Sequence, residues 1–166
     1  FLAAHLVHHL AKGLEASHCA GVFHRDLKPS NVMVSSQPWP QVVKVTDFGI
    51  AKMASEELTA AIELGIDKSI TTSATLVGAL PYMAPELIID PKTADRPADV
   101  WSVGAILYEM LTGAKPFGTG YQAVAKITNG TRPEKPHARG SLLQFGGYVD
   151  ELWTIVSACF EMNPSN

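Results

Sequence analysis

The chain has 166 residues, with 13 Lys and Arg against 16 Asp and Glu for a formal charge of −3, and without a basic run it lacks the electrostatic footprint of a nucleic-acid binder. At 46% apolar and 17% charged residues it can build one core, and the low charge implies that some of its surface is covered by something else. No apolar stretch reaches the ~20 residues of a membrane span, Cys19 and Cys159 read as buried free thiols of a reducing compartment, cytoplasmic or nuclear, and the opening on Phe1 inside a helical pattern reads as a fragment without a leader.

Leu2, Leu6, Leu10 and Leu14 recur every four residues, which predicts a helix over residues 1–18 with one buried stripe. His5, His8 and His9 crowd it, but His8 and His9 point in different directions and no carboxylate joins them, so no metal site is expected; His18 reads as a packing residue near Cys19. Beyond Gly21, β-like runs at Val22-Phe23, Val32-Met33-Val34 and Val42-Val43-Lys44-Val45 are separated by loops that include Pro38-Trp39-Pro40. Residues 50–80 lack sustained periodicity apart from a helical turn or more at Glu56 to Leu64, and read as a long mobile connection. From Ala98 to Leu111 the pattern is apolar nearly all round, which predicts a central buried helix with Asp95 as N-cap, Pro97 in its first turn and Gly113 past its end. A shorter helix near Tyr121 to Ile127 lies between loops at 113–120 and 132–147, and a last helix runs from Asp150 to Phe160. The fold class is mainly α with a small β-hairpin.

Two short strings carry chemistry. His24-Arg25-Asp26-Leu27-Lys28-Pro29-Ser30-Asn31 lies in a loop between the small strands, and Asp47-Phe48-Gly49 follows the last of them. They combine a candidate base, a cation and two oxygen-bearing side chains suited to a hard metal ion, as phosphoryl transfer requires. At about one chance in twenty per position, the five constrained residues of the first string make coincidence a poor account.

With Ala84-Pro85-Glu86 closing the long loop and Asp99-Val100-Trp101-Ser102-Val103-Gly104 opening the buried helix, the chain resembles the C-terminal lobe of a eukaryotic-type protein kinase. The resemblance covers residues 1–166 as one partial domain that lacks the N-terminal lobe. It implies ATP and Mg²⁺ as cofactors and a protein Ser or Thr hydroxyl as acceptor, since Lys28 two residues after Asp26 is the Ser/Thr pattern. It gives Asp26 the substrate proton, Lys28 the γ-phosphate, and Asn31 and Asp47 the Mg²⁺. Met33 would form the floor under adenine, although the residues alone equally allow a core strand, and Ile106 and Met110 would continue the packed column beneath it. Phe48 would pack inward and Gly49 would free the backbone for a switch. Asp99, otherwise an expensive buried charge, would accept backbone hydrogen bonds from the His24-Arg25 turn. Arg25 implies control by phosphate on the long loop, at Thr75, with Thr71, Thr72 and Ser73 as other acceptors; a Ser/Thr-rich loop also stands without phosphate.

The chain departs from the family pattern in several places. Ala79 replaces a Thr whose hydroxyl would link the catalytic Asp and Lys. Insertions fall at roughly 53–69 and 37–41, and the Arg expected to pair with Glu86 lies past Asn163-Pro164, beyond Asn166. No Gly-rich loop, strand lysine or partner Glu precedes Phe1, so these residues alone are expected to be inactive although their parent would be a kinase. The alternatives are a noncatalytic, pseudokinase-like binding module and a small-molecule phosphotransferase, which would not need Ala84-Pro85-Glu86.

Overall fold

The computed structural model describes residues 2–36, 42–48, 74–90, 93–136 and 149–162. Helix α1 (Leu2–Cys19) buries Leu10 and Leu14, and its stripe lies against the long helix that organises the core. A 3₁₀ turn (Pro29–Asn31) leads into strand β1 (Val32–Val34), which pairs antiparallel with β2 (Val43–Val45) in the register Val32↔Val45, Met33↔Lys44, Val34↔Val43. The pleat puts Val32 and Val34 on one face and Met33 with Lys44 on the other.

Helix α2 (Ala74–Ala79) falls within the connection read at residues 50–80, and a 3₁₀ turn (Leu80–Tyr82) and helix α3 (Pro85–Ile89) follow it, without an element expected there. Segments of three to six residues are too short for a 3.6-residue period to register. Helix α4 (Arg96–Thr112) begins after Asp95 with Pro97 in its first turn, and Gly113 ends it in the left-handed region at φ 72°, its N–H donating to the Glu109 carbonyl at 2.8 Å. Asp95 takes the N-cap position without a side-chain cap bond.

Helix α4 is apolar on nearly every side because α1, the Leu80–Tyr82 turn, α3 and the final helix, α6 (Val149–Ala158), all pack on it. Its approach to the chain after α6 is close: a Cβ on Gly104 would fall 2.4 Å from that of Cys159. Trp101 stacks on Phe117 with ring centroids 5.4 Å apart, and Phe160 meets both edge-on at 5.0 and 5.2 Å, closing the lower core. Helix α5 (Gly120–Thr128) buries Ala123 and Ile127 against the Leu80–Tyr82 turn and α3.

Two expectations change. Val22-Phe23 is not a strand: the chain turns at Gly21 (φ 73°), Val22 is exposed, and Phe23 packs beside the His18 ring at 5.5 Å. Cys19 is exposed and Cys159 half-buried, because the four-residue stripe of α1 continues to position 18 and leaves 19 outside it. The helical turn expected at Glu56 to Leu64, and both expected insertions, lie outside the described residues. Among the described residues no helix is long and apolar enough to cross a membrane.

Candidate active site

The site is built on a buried carboxylate. Asp99, in the first turn of α4, is fully buried; its Oδ1 accepts the Arg25 N–H at 2.7 Å and its Oδ2 accepts the His24 N–H at 2.9 Å. The positive end of the helix dipole favours a negative charge here, and charge-assisted hydrogen bonds of about 1.5–3 kcal/mol each offset its removal from water. Arg25 adopts φ 63°, a left-handed conformation in which the Cβ of an L-residue crowds the backbone and which holds where neighbours impose it.

The turn then folds onto itself. The buried His24 ring donates from Nε2 to the Thr46 carbonyl at 2.8 Å and accepts the Asp26 N–H on Nδ1 at 3.2 Å, so these partners select the Nε2–H tautomer. Lys28 Nζ donates to Asp26 Oδ2 at 2.9 Å. Asn31 Nδ2 donates to the Asp26 carbonyl at 2.9 Å and, more weakly, to the same Oδ2 at 3.4 Å. Among the described residues the hydrogen bonds to this carboxylate all fall on Oδ2, which leaves Oδ1 as the oxygen for an incoming proton.

The hairpin brings the second string to the first. Thr46 donates to the Asn31 carbonyl from its N–H at 2.9 Å and from its hydroxyl at 3.3 Å, so Asp47 follows directly on a residue bonded to Asn31. Asp47 is exposed at φ 61°. Asn31 Oδ1, contacted by the Ser30 hydroxyl at 3.3 Å, and the Asp47 carboxylate are hard oxygen donors, few in number. That donor set suits Mg²⁺, which keeps several waters and takes other ligands from phosphate.

The remaining candidates are placed as follows. Met33 is 60% exposed on the outer face of the hairpin, which rules out the core-strand reading. Phe48 does not pack fully inward: it rests on the His24 ring at 4.8 Å and is 37% exposed. Gly49 lies outside the described residues, and Thr75 falls in α2 with its side chain outside them. Arg25 spreads its guanidinium over the Phe23 ring at 5.6 Å, and its Nε is buried without a hydrogen-bond partner among the described residues. Glu86 forms no ion pair among the described residues; burial pushes its carboxyl above the usual range, its own backbone N–H pulls the other way, and Asp95 adds to the rise.

Ile106 and Met110 line a cleft of about 350 Å³ with Leu6, Leu10, Val32 and Val34. It lies on the Val32/Val34 face of β1, opposite Met33. Its polar corner is the Tyr82 hydroxyl donating to Glu109 Oε2; burial and then this carboxylate hold the hydroxyl far above the ordinary tyrosine range. Sequence reasoning missed that pair, and it missed His18, whose Nε2 donates to Asp99 Oδ2 at 2.7 Å. The available signal was the stripe itself: a polar residue four positions after Leu14, where burial is due, needs a partner.

The family model for the protein kinase domain matches residues 2–166. The chain is 31% identical over 172 residues to serine/threonine-protein kinase PkaB of Streptomyces coelicolor, an alignment that covers 99% of this chain and 36% of the relative. It is 33% identical over 165 residues to serine/threonine-protein kinase PknB of Mycolicibacterium smegmatis, with 99% of this chain and 24% of the relative covered. With the probable serine/threonine-protein kinase PknB of Bifidobacterium longum it shares 43% identity over 112 residues, 68% of this chain and 14% of that protein. The chain thus spans 14–36% of the length of these curated relatives.

Proposed function

Since this chain belongs to the protein kinase domain family, we propose that residues 1–166 form the C-terminal lobe of a cytoplasmic serine/threonine protein kinase and carry the groups that transfer the γ-phosphate of ATP to a protein hydroxyl. The observation that carries this reading is the contact set around Asp26, with Lys28 and Asn31 on one carboxylate oxygen and Thr46 fastening Asp47 beside Asn31.

Asp26 orients the substrate hydroxyl through Oδ1 and takes up its proton as the oxygen bonds to the γ-phosphorus and the bond to the bridging β,γ-oxygen breaks. Lys28, held near the base, meets the negative charge of the transferred group. Asn31 and Asp47 would hold Mg²⁺, which when bound neutralises charge on the phosphate oxygens. Met33 presents its exposed side chain to the adenine face. Phe48, half in solvent, and Gly49 form the element that changes with the state of the loop. Arg25, whose buried Nε has no hydrogen-bond partner among the described residues, is the cation that phosphorylated Thr75 would pair with.

Ala79, which is buried and stands in the sequence where the family pattern has a Thr whose hydroxyl links the catalytic Asp and Lys, favours a second reading, a noncatalytic binding module. Against it, Lys28 reaches Asp26 directly at 2.9 Å, so the pair stands without that hydroxyl. These 166 residues hold neither a Gly-rich phosphate loop nor a strand lysine, and alone they should transfer phosphate far more slowly than the complete protein.

The test is incubation of the complete protein with γ-labelled ATP, Mg²⁺ and a pool of Ser, Thr and Tyr peptides. Phosphoserine or phosphothreonine that disappears with a chelator is the expected result. No incorporation by the complete, Thr75-phosphorylated protein would replace this reading with the binding module.

A further inference from the structure

The geometry points to a second ion site on α1, apart from Asn31 and Asp47: His5 and His9 together hold a late first-row divalent cation of the Zn²⁺ type. Along the sequence His8 was set against its neighbour His9, the two diverge, and no metal was expected. The helix instead brings His5 and His9, four residues apart, onto one face, with ring centroids 4.3 Å apart and planes tilted by 41°.

The state of the His9 ring carries the proposal. Its Nδ1 lies 2.9 Å from the His5 carbonyl oxygen, which only accepts, so Nδ1 bears the hydrogen and the neutral ring keeps its lone pair on Nε2. A carbonyl that takes the other N–H is the usual outer support of a metal-ligating histidine: it fixes the ring and makes the opposite nitrogen a better donor. This carbonyl belongs to the residue that supplies the second imidazole, so the backbone registers the two rings to each other. Zn–N bonds of about 2.0–2.1 Å put two ligating nitrogens no more than about 4 Å apart. Rings at this separation have that spacing within reach, and both side chains are half-buried.

The surroundings say what kind of site it is. Hydrolytic zinc helices with histidines at this spacing place a Glu directly after the first of them, as the general base. Here Leu6 takes that position, so the ion ties the helix together and activates no water through it. Among the described residues no three His, Cys, Asp or Glu side chains gather as a ligand group, so the ion keeps its other positions for water and exchanges readily. Imidazole nitrogens select late first-row ions, whereas Mg²⁺ wants oxygen, and the two sites therefore draw on different metals. His8 is exposed and meets the His9 ring edge-on at 5.4 Å and 83°, outside the pair. A bound ion clamps residue 5 to residue 9 just ahead of the buried Leu10, in a helix that packs on both α4 and β2.

The test titrates the complete protein with Zn²⁺ alone by calorimetry, in saturating Mg²⁺ and on a Cys19→Ser background that removes an exposed thiol as rival ligand. His5→Gln and His9→Gln keep a good helix former in place. Each is expected to weaken one equivalent of Zn²⁺ by at least the about 10- to 100-fold that loss of an outer-shell partner costs, while His8→Gln stays within about twofold. In the unaltered helix, Zn²⁺ at about ten times its Kd should slow hydrogen exchange of the residue 6–10 amides by about tenfold. Should a Gln variant fail to fold, that exchange difference decides. Zn²⁺ binding unchanged in both His5→Gln and His9→Gln would overturn the inference, as would α1 exchange that Zn²⁺ does not move. A His8→Gln variant as impaired as the other two would overturn it as well, by marking diffuse attraction to a histidine-rich surface. Neither histidine belongs to the proposed transfer site, so this result and phosphate transfer are read separately.

Discussion

Among the described residues two turns hold a residue other than glycine in the left-handed region, at Arg25 (φ 63°) and at Asp47 (φ 61°), and they are secured in opposite ways. Arg25 is pinned: its N–H meets a fully buried carboxylate, the preceding His24 is locked on both ring nitrogens, and the Phe23 ring lies under its guanidinium. Asp47 is exposed, and its neighbours are the bonded Thr46 on one side and the half-exposed Phe48 on the other. The same backbone strain is thus locked in one turn and left free in the other. The residue proposed as base is set in place by folding, whereas the aspartate proposed to hold the metal is exposed at the end of the hairpin.

The sharpest way to break this comparison is Asp99→Asn, which turns an amide N–H or a single carbonyl toward donors that need two acceptor oxygens. It should cost about 2–4 kcal/mol of stability by denaturant unfolding and lower phosphate transfer by about 100-fold or more. Asp47→Asn should separate the two quantities. Asn tolerates the left-handed region and the site is exposed, so stability should change by no more than about 0.5 kcal/mol, while transfer at fixed Mg²⁺ falls by on the order of 100-fold. An Asp47→Asn protein that unfolds as readily as Asp99→Asn would show that the second turn is as locked as the first.

Relief of strain should read smaller still. Asp47→Gly is expected to raise stability slightly, by about 0.5 kcal/mol, because Gly takes a positive φ without the Cβ clash and the Asp47 side chain has no hydrogen bond to lose among the described residues. Arg25→Gly should gain less, since it also loses the packing of the guanidinium on Phe23. The least change concerns the lower core. Cys159, whose thiol is pushed up by burial against Gly104, should react about tenfold more slowly with a thiol reagent than exposed Cys19, as mass spectrometry of labelled peptides would show.

The long elements were legible in the sequence because their physical determinants are local. Leu2 to Leu14 wrote the stripe of α1, Asp95, Pro97 and Gly113 punctuated α4, and the Val runs marked the hairpin. The first string placed Asp26, Lys28 and Asn31 together because five residues of loop leave them little room to separate. What stayed hidden depended on contacts distant in sequence. His18 meets Asp99 across 81 positions, and Tyr82 meets Glu109 across 27. The outward Phe48 and the unpaired Val22-Phe23 segment were misread for a related reason: apolar character says that a residue can be covered, and only the tertiary arrangement says whether anything covers it.

The most direct measurement of the central claim is single-turnover phosphate transfer from ATP by the complete protein, wild type against Asp26→Asn, with unfolding followed on the same samples. The account predicts that Asp26→Asn lowers transfer by about 10²- to 10⁴-fold while the unfolding midpoint shifts little, because the backbone N–H and carbonyl of residue 26 keep their bonds to His24 and Asn31. Transfer by Asp26→Asn at the wild-type rate would contradict it.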